Sequence, residues 1–296
     1  MISFNFKKWA FRYLPVLYLH KREIASKREW VTYHYMSMKY LKYKTDASIQ
    51  TELVNPSVPI DRIVWMYWRQ GEDNAPRLVQ KCIQSVRATF GEDRVIVLDE
   101  HSVGNYIKMP DFIDQKHKQG YIQEAIYSDL LRISLLIQYG GIWCDATCYV
   151  TDALPDYVER TPLFMFQNTQ LAGWSSPCVC SNWFIKADKE DPVLIALRNV
   201  LFHYWKRNNT LPHYYLFHIT LALLLNTDER LRARWEEIPY VCNMNPHVMQ
   251  FSFAKPYTVE SYTHIQKSCF IHKLSYKYDK SLLETPVQNI LQYFLS

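Results

Sequence analysis

The stretch from Glu124 to Thr151, EAIYSDLLRISLLIQYGGIWCDATCYVT, constrains this chain more than any other. Ile126, Leu130, Ile133 and Ile137 recur every three or four residues, so the spacing predicts a helix over Ile122 to Tyr139 with one apolar face. Gly140 and Gly141 stop it, because glycine accepts the positive φ of a helix C-cap. The β-forming run Ile142 to Cys144 then predicts a short strand that carries Asp145 at its carboxyl end. Ligands of open α/β sheets collect outside the carboxyl ends of strands. A carboxylate there suits a hard cation bound through oxygen. Asp129 and Arg132 lie three apart and share a helix face. By residue type alone they make an ordinary ion pair. Their combination with a glycine stop and an acidic strand end is what points to a site.

The flanking sequence supplies the other half of an α/β unit. Thr45 to Pro59 is polar, carries Pro56 and Pro59, and reads as a linker. Ile60 to Trp68 reads as a first strand, followed by a loop at Arg69, Gln70 and Gly71. Pro76 opens a helix whose stripe is Leu78, Val79, Cys82, Ile83, Val86 and Phe90. Arg94 to Asp99 is a nearly continuous apolar run, as a buried parallel strand should be. This β-α-β pattern is Rossmann-like. A nucleotide base would lie against the loop after the first strand, where Trp68 can stack and Gln70 can bond polar edges; core packing explains Trp68 equally well. Further on, Leu163 to Phe166 and Asn182 to Ile185 read as strands, with the loop 168–181 between them. Helices are expected from Pro192 and over Tyr214 to Leu225, where His213 and His218 read as core or surface histidines.

Composition narrows the class. Of 296 residues, 48% are hydrophobic and 21% charged, which is globular. Seven scattered cysteines make no disulfide framework, and Cys178 and Cys180 are spaced wrongly for a zinc knuckle. Reduced thiols and the lack of a signal-peptide pattern suggest a cytoplasmic location. The longest apolar run, Leu211 to Leu225, is too short to span a bilayer. Residues 1–44 hold ten Lys or Arg against two Glu, a net +8 in a chain of net +5, so the rest is acidic overall. Phe4, Phe6, Trp9, Phe11, Tyr13 and Tyr18 are interleaved with these charges. Two readings of residues 1–50 fit equally: a peripheral contact with an anionic membrane, or a basic helical extension packed on the domain. No nucleic-acid motif is present.

SDLLR, LLIQYGG and IWCDAT together resemble the capsular-polysaccharide-synthesis group of sugar transferases. They are also similar to the wider DxD-motif family of retaining glycosyltransferases that includes yeast outer-chain mannosyltransferases. The resemblance extends more loosely from about Ile60 to Lys277. It implies an α/β, GT-A-type Rossmann-like mixed sheet flanked by helices, with the catalytic domain over residues 51–296. It implies a bacterial enzyme that moves a hexose with retention from a nucleotide-diphosphate donor, a UDP-sugar first among them, to a glycan or lipid-linked glycan of the capsule or surface. Asp129, Arg132 and Asp145 would form the catalytic centre. Asp129 would meet ribose or sugar hydroxyls, and Arg132 the sugar or diphosphate. Where the wider family has a second aspartate this chain has Thr147.

A divalent cation, Mn²⁺ or Mg²⁺, would sit on Asp145, with Thr147 on the same strand parity holding a metal-bound water. Near the end, CFIHKLSYK looks like the C-terminal element that meets the donor diphosphate or its metal in several GT-A enzymes. Alternation sends His272 and Lys273 to opposite faces. The expectation falls on His272 as metal ligand and on Lys277 as a loop cation over the diphosphate. The missing second aspartate leaves a non-catalytic sugar-binding relative as an alternative, and residues 1–44 leave a membrane-surface scaffold.

Overall fold

Four apolar runs, VWMY, VIVL, GIWC and LFMFQ, become strands of one sheet. The computed structural model describes residues 21–58, 63–168 and 176–296. The first twenty residues of the basic extension, the start of the expected first strand and the centre of the 168–181 loop lie outside the described residues.

The chain opens with α1 (Lys21–Lys39) and β1 (Glu52–Leu53), then β2 (Val64–Tyr67), α2 (Arg77–Phe90), β3 (Val95–Leu98), β4 (Ile107–Lys108) and α3 (Asp111–Lys118). The central stretch forms α4 (Glu124–Tyr139), β5 (Gly141–Cys144) and β6 (Cys148–Val150). Next come α5 (Asp156–Glu159), β7 (Leu163–Gln167), β8 (Cys180–Ala187), α6 (Pro192–Arg207), α7 (Leu216–Thr227) and, after shorter helices, β9 (Ile271–Lys273).

The main sheet has the order β3-β2-β5-β8-β7. β2 is parallel to both β3 and β5, while β8 runs antiparallel to β5 and β7. This mixed sheet flanked by helices is the α/β architecture expected from the sequence. All four residues of β2 are buried, which is why its sequence does not alternate. β8 outruns its expected span because it is paired on both edges; Ala187 meets Gly141 on one side and Leu163 on the other.

The stretch 45–59 is not a free linker. Ile49, Thr51 and Val58 are buried, and Glu52–Leu53 pairs antiparallel with Ile107–Lys108. Helix α1 packs on α7, and its Met36 and the following Tyr40 join the main core. Residues on both sides of position 50 thus share one core. The Tyr43 ring stacks on His203 at 4.1 Å, and Lys44 pairs with Asp228 at 2.6 Å. No disulfide joins any of the seven cysteines. Among the described residues no helix is long and apolar enough to cross a membrane.

Candidate active site

Helix α4 supplies the first part of the site. Its apolar face is buried, and the polar residues Ser128, Asp129 and Arg132 line a cavity instead. Gly140 ends the helix at φ 71°, its N–H bonded to the Leu136 carbonyl at 2.8 Å. β5 then runs parallel to β2, with Trp65 opposite Trp143. Asp145 follows directly, its N–H bonded to the Trp183 carbonyl at 2.9 Å. Two parallel strands therefore end at the same cavity: β2 with Tyr67, Trp68 and Gln70, and β5 with Asp145.

Four charges meet there. Arg132 lies 3.3 Å from Asp129 and 3.4 Å from Asp145 through the same guanidinium nitrogen. Its Nε donates to the Ser128 carbonyl at 3.1 Å, another nitrogen donates to the Asn182 carbonyl, and its guanidinium carbon lies 4.9 Å from the centre of the Trp143 ring. Such a fork with several fixed acceptors is beyond a lysine. Asn182 donates to Asp129 at 2.8 Å, and the Trp143 indole donates to Asp145 at 2.8 Å. The fourth charge is Lys273, whose Nζ donates to Asp145 at 2.9 Å and to the Thr147 hydroxyl at 2.6 Å.

The two carboxylates differ in their acidity. Burial works to raise Asp145, but Lys273 and Arg132 outweigh it and hold this carboxyl below its ordinary value. Burial also raises Asp129; Arg132 offsets only part of this and Asp145 adds to it, so Asp129 is pushed up to about 6. Lys273 is held above its ordinary range, because Asp145 outweighs the burial that opposes its charge.

The cavity above this cluster measures about 1200 Å³. Trp68 and Tyr276 stand on its wall edge to face, 5.3 Å apart. Lys277 lines it too, 5.7 Å from the Tyr276 ring. Nearby, Glu124 accepts from Tyr67 at 2.7 Å and from Arg69 at 3.2 Å.

A family model described as capsular polysaccharide synthesis protein matches residues 18–294, nearly the whole chain. The chain belongs to that family. This family member is also similar to the O-glycosyltransferase braB of Annulohypoxylon truncatum, with 29% identity over 120 residues. That match covers 37% of the chain and 28% of the relative, so the chain spans under a third of that protein's length. Among solved structures it is similar to PaToxG Glycosyltransferase at 15% identity and a TM-score of 0.33, covering 73% of this chain and 85% of that one.

In this capsular polysaccharide synthesis family member, Asp129, Arg132, Asp145 and Thr147 form one connected cluster, and Trp68, Gln70 and Lys277 line the same cavity. His272 does not join them. It is fully buried, its Nε2 lies 3.3 Å from the Thr151 hydroxyl and 3.2 Å from the Gln266 carbonyl, and burial lowers it to about 4. The expectation of a metal ligand at His272 is therefore corrected: its strand neighbour Lys273 takes the place in the site. Alternation had separated the two residues correctly. The antiparallel pairing of β6 with β9, Cys148 opposite Lys273, decides which of them faces Asp145.

Other lining residues carry little signal in the sequence. Asn182 sits in an expected strand without any motif. Glu29 comes from α1, reaches the cavity and accepts from Ser176 at 2.5 Å. His218 lines the cavity as well, and burial with nearby Arg132 lowers it to about 3.

The donor set at Asp145 does not fit a divalent ion. Mg²⁺ and Mn²⁺ draw on carboxylate oxygens free to coordinate. Here Asp145 is already bonded on both oxygens and Thr147 is bonded to Lys273.

The raised Asp129 has a consequence for stability. A carboxyl with a higher pKa folded than unfolded binds its proton more tightly in the native state. That contribution is fully present below the unfolded value near 3.8 and fades as pH rises through about 6. Asp129→Asn keeps the amide neutral throughout. Its stability relative to wild type should therefore improve by on the order of 2 kcal/mol between pH 4 and 6.5. Denaturant melts across that range check this; a constant difference would show that Asp129 does not titrate there.

Proposed function

We propose that this chain is a GT-A-type glycosyltransferase. In this reading it moves a hexose from a nucleoside-diphosphate donor, UDP-linked in the first instance, to a capsular or other surface glycan. The observation that carries it is the cluster of Asp129, Arg132, Asp145 and Lys273 at the carboxyl end of a parallel strand, facing a cavity with an aromatic wall. The partial likeness to a named O-glycosyltransferase supports the same reaction type, and retention follows the resemblance to the DxD-motif family.

In the net reaction the bond between the sugar's anomeric carbon and the diphosphate oxygen breaks, and its electron pair leaves with the diphosphate. An acceptor hydroxyl oxygen bonds that carbon and gives up its proton. Charge grows on the leaving diphosphate, and fixed cations aimed at it lower the barrier. Lys273, Lys277 and Arg132 are among the cations that line the cavity. Asp129 and Asn182 are suited to sugar hydroxyls, and Trp68 with Tyr276 to the base. A cavity of about 1200 Å³ leaves room for an acceptor beside the donor. The exposed side chains of Tyr214, Met244 and Phe251 line it and suit stacking on glycan or a lipid-linked carrier.

The test is a screen of nucleotide sugars by thermal shift, followed by product analysis with the donor that binds. One donor should raise Tm and turn over slowly to free sugar in the absence of acceptor. Base stacking contributes ~1–3 kcal/mol, so Trp68→Ala should weaken that donor roughly tenfold or more. A chain that binds no nucleotide sugar at all would refute the reading.

A further inference from the structure

We propose that Lys273 stands where a divalent cation would be expected, so that the donor diphosphate is bound by the protein's own ammonium and binding requires no metal. The inference rests on the glycosyltransferase reading.

Position is the first argument. The Lys273 ammonium lies 2.9 Å from Asp145 and 2.6 Å from Thr147, between the two oxygens that a metal on this motif would draw on. The remaining Asp145 oxygen accepts from the Trp143 indole at 2.8 Å and faces Arg132 at 3.4 Å. A divalent ion would have to displace one cation and sit beside another.

Charge is the second. With threonine at position 147, the Asp145–Thr147 pair offers one negative charge, which a single ammonium balances. An aspartate at 147 would have offered two, the amount a divalent ion matches.

Rigidity is the third. Lys273 is not a loop residue that wandered in. It belongs to β9, paired with Cys148 of β6, and the next residue, Leu274, donates its N–H to the Thr147 carbonyl at 2.9 Å. The strand that carries the lysine is thus bonded to the segment that carries the motif, so the ammonium is placed by the fold.

Availability is the fourth. An ammonium has three N–H donors. Two are given to Asp145 and Thr147, and among the described residues no partner takes the third. Lys273 lines the cavity, with Lys277 on the same wall. A diphosphate entering there meets a donor already oriented by two hydrogen bonds.

The experiment is calorimetric titration with UDP, GDP, ADP, CDP and dTDP, each in EDTA and again in excess Mn²⁺. For whichever diphosphate binds, wild-type affinity should agree within about twofold between the two conditions, where a bridging metal would change it by far more. Loss of a desolvated phosphate contact should make Lys273→Met bind about tenfold or more weakly in EDTA, while Lys273→Arg keeps most of the affinity. Mn²⁺ followed alone by electron paramagnetic resonance should remain free beside wild-type protein. Wild-type binding that appears only with Mn²⁺ overturns the inference and leaves the glycosyltransferase reading standing. The wild-type comparison decides this even if Lys273→Met does not fold. Full affinity of a folded Lys273→Met in EDTA also overturns it. If no nucleoside diphosphate binds in either condition, the glycosyltransferase reading falls and the inference falls with it.

Discussion

On the glycosyltransferase reading, Asp145→Asn should abolish sugar transfer, to below about one part in a thousand, and should destabilise the fold as well. Asp145 is the anion between two cations: Lys273 at 2.9 Å and Arg132 at 3.4 Å. Removing its charge leaves Arg132 with Asp129 and takes from Lys273 the carboxylate it is paired with. Breaking a buried pair by taking away one partner costs ~3–5 kcal/mol. With the Asp145 side chain 23% exposed, the lower end, about 3 kcal/mol, applies, or roughly 6–10 °C in Tm. The effect also has a pH signature. A carboxylate whose folded pKa is depressed contributes stability above its unfolded value near 3.8 and loses it as pH falls through the folded value. The gap between wild type and Asp145→Asn should therefore be constant at neutral pH and close in acid. Pairing it with Lys273→Met removes the uncompensated cation, so the double variant should recover much of the stability and none of the transfer. A double variant that regains activity would mean that Asp145 acts only as a structural counter-ion.

Gly141→Ala should be among the most damaging single-methyl changes in the chain. Gly141 has φ +92°, which disfavours any side chain, and a Cβ built there would lie 2.4 Å from the Ile63 carbonyl oxygen. That oxygen cannot retreat freely, because it accepts from the Ile142 N–H at 2.8 Å and so ties β5 to the segment entering β2. Strain at a positive φ and a backbone clash add, so a loss of about 4 kcal/mol or more is expected, seen as insoluble protein or a Tm lower by roughly 10 °C. Gly91→Ala is the control. Its φ is +95° but nothing lies within 4 Å of the added carbon, so only the conformational term of about 1 kcal/mol remains. Equal melting temperatures for the two variants would show that the close approach to Ile63 is not real.

Much of the central block was legible from residue order. The period of Ile126, Leu130, Ile133 and Ile137, the glycine stop and the following β-formers gave α4, β5 and the placement of Asp145 within a residue or two. The parallel strands were legible because VWMY and VIVL are apolar throughout. Asp129 and Arg132 were legible as a pair because helical spacing alone puts them together. Pro76, expected as the first helical residue, is the cap of α2, a shift at a boundary where capping geometry and sequence pattern differ by one residue.

What the sequence determined by itself is whatever depends on neighbours along the chain: helix faces, strand ends, the glycine turn, the missing second acid at Thr147. Tertiary structure decided everything that depends on pairing across distance. The register of β9 against β6 chose Lys273 over His272, although the two are adjacent and chemically plausible alike. The packing of α1 on α7 brought Glu29 to the cavity from what reads as a separate basic extension. The physical reason is the same in both cases. Local order fixes which way a side chain points relative to its own backbone. Hydrogen bonds and burial between segments more than a hundred residues apart decide what it meets there.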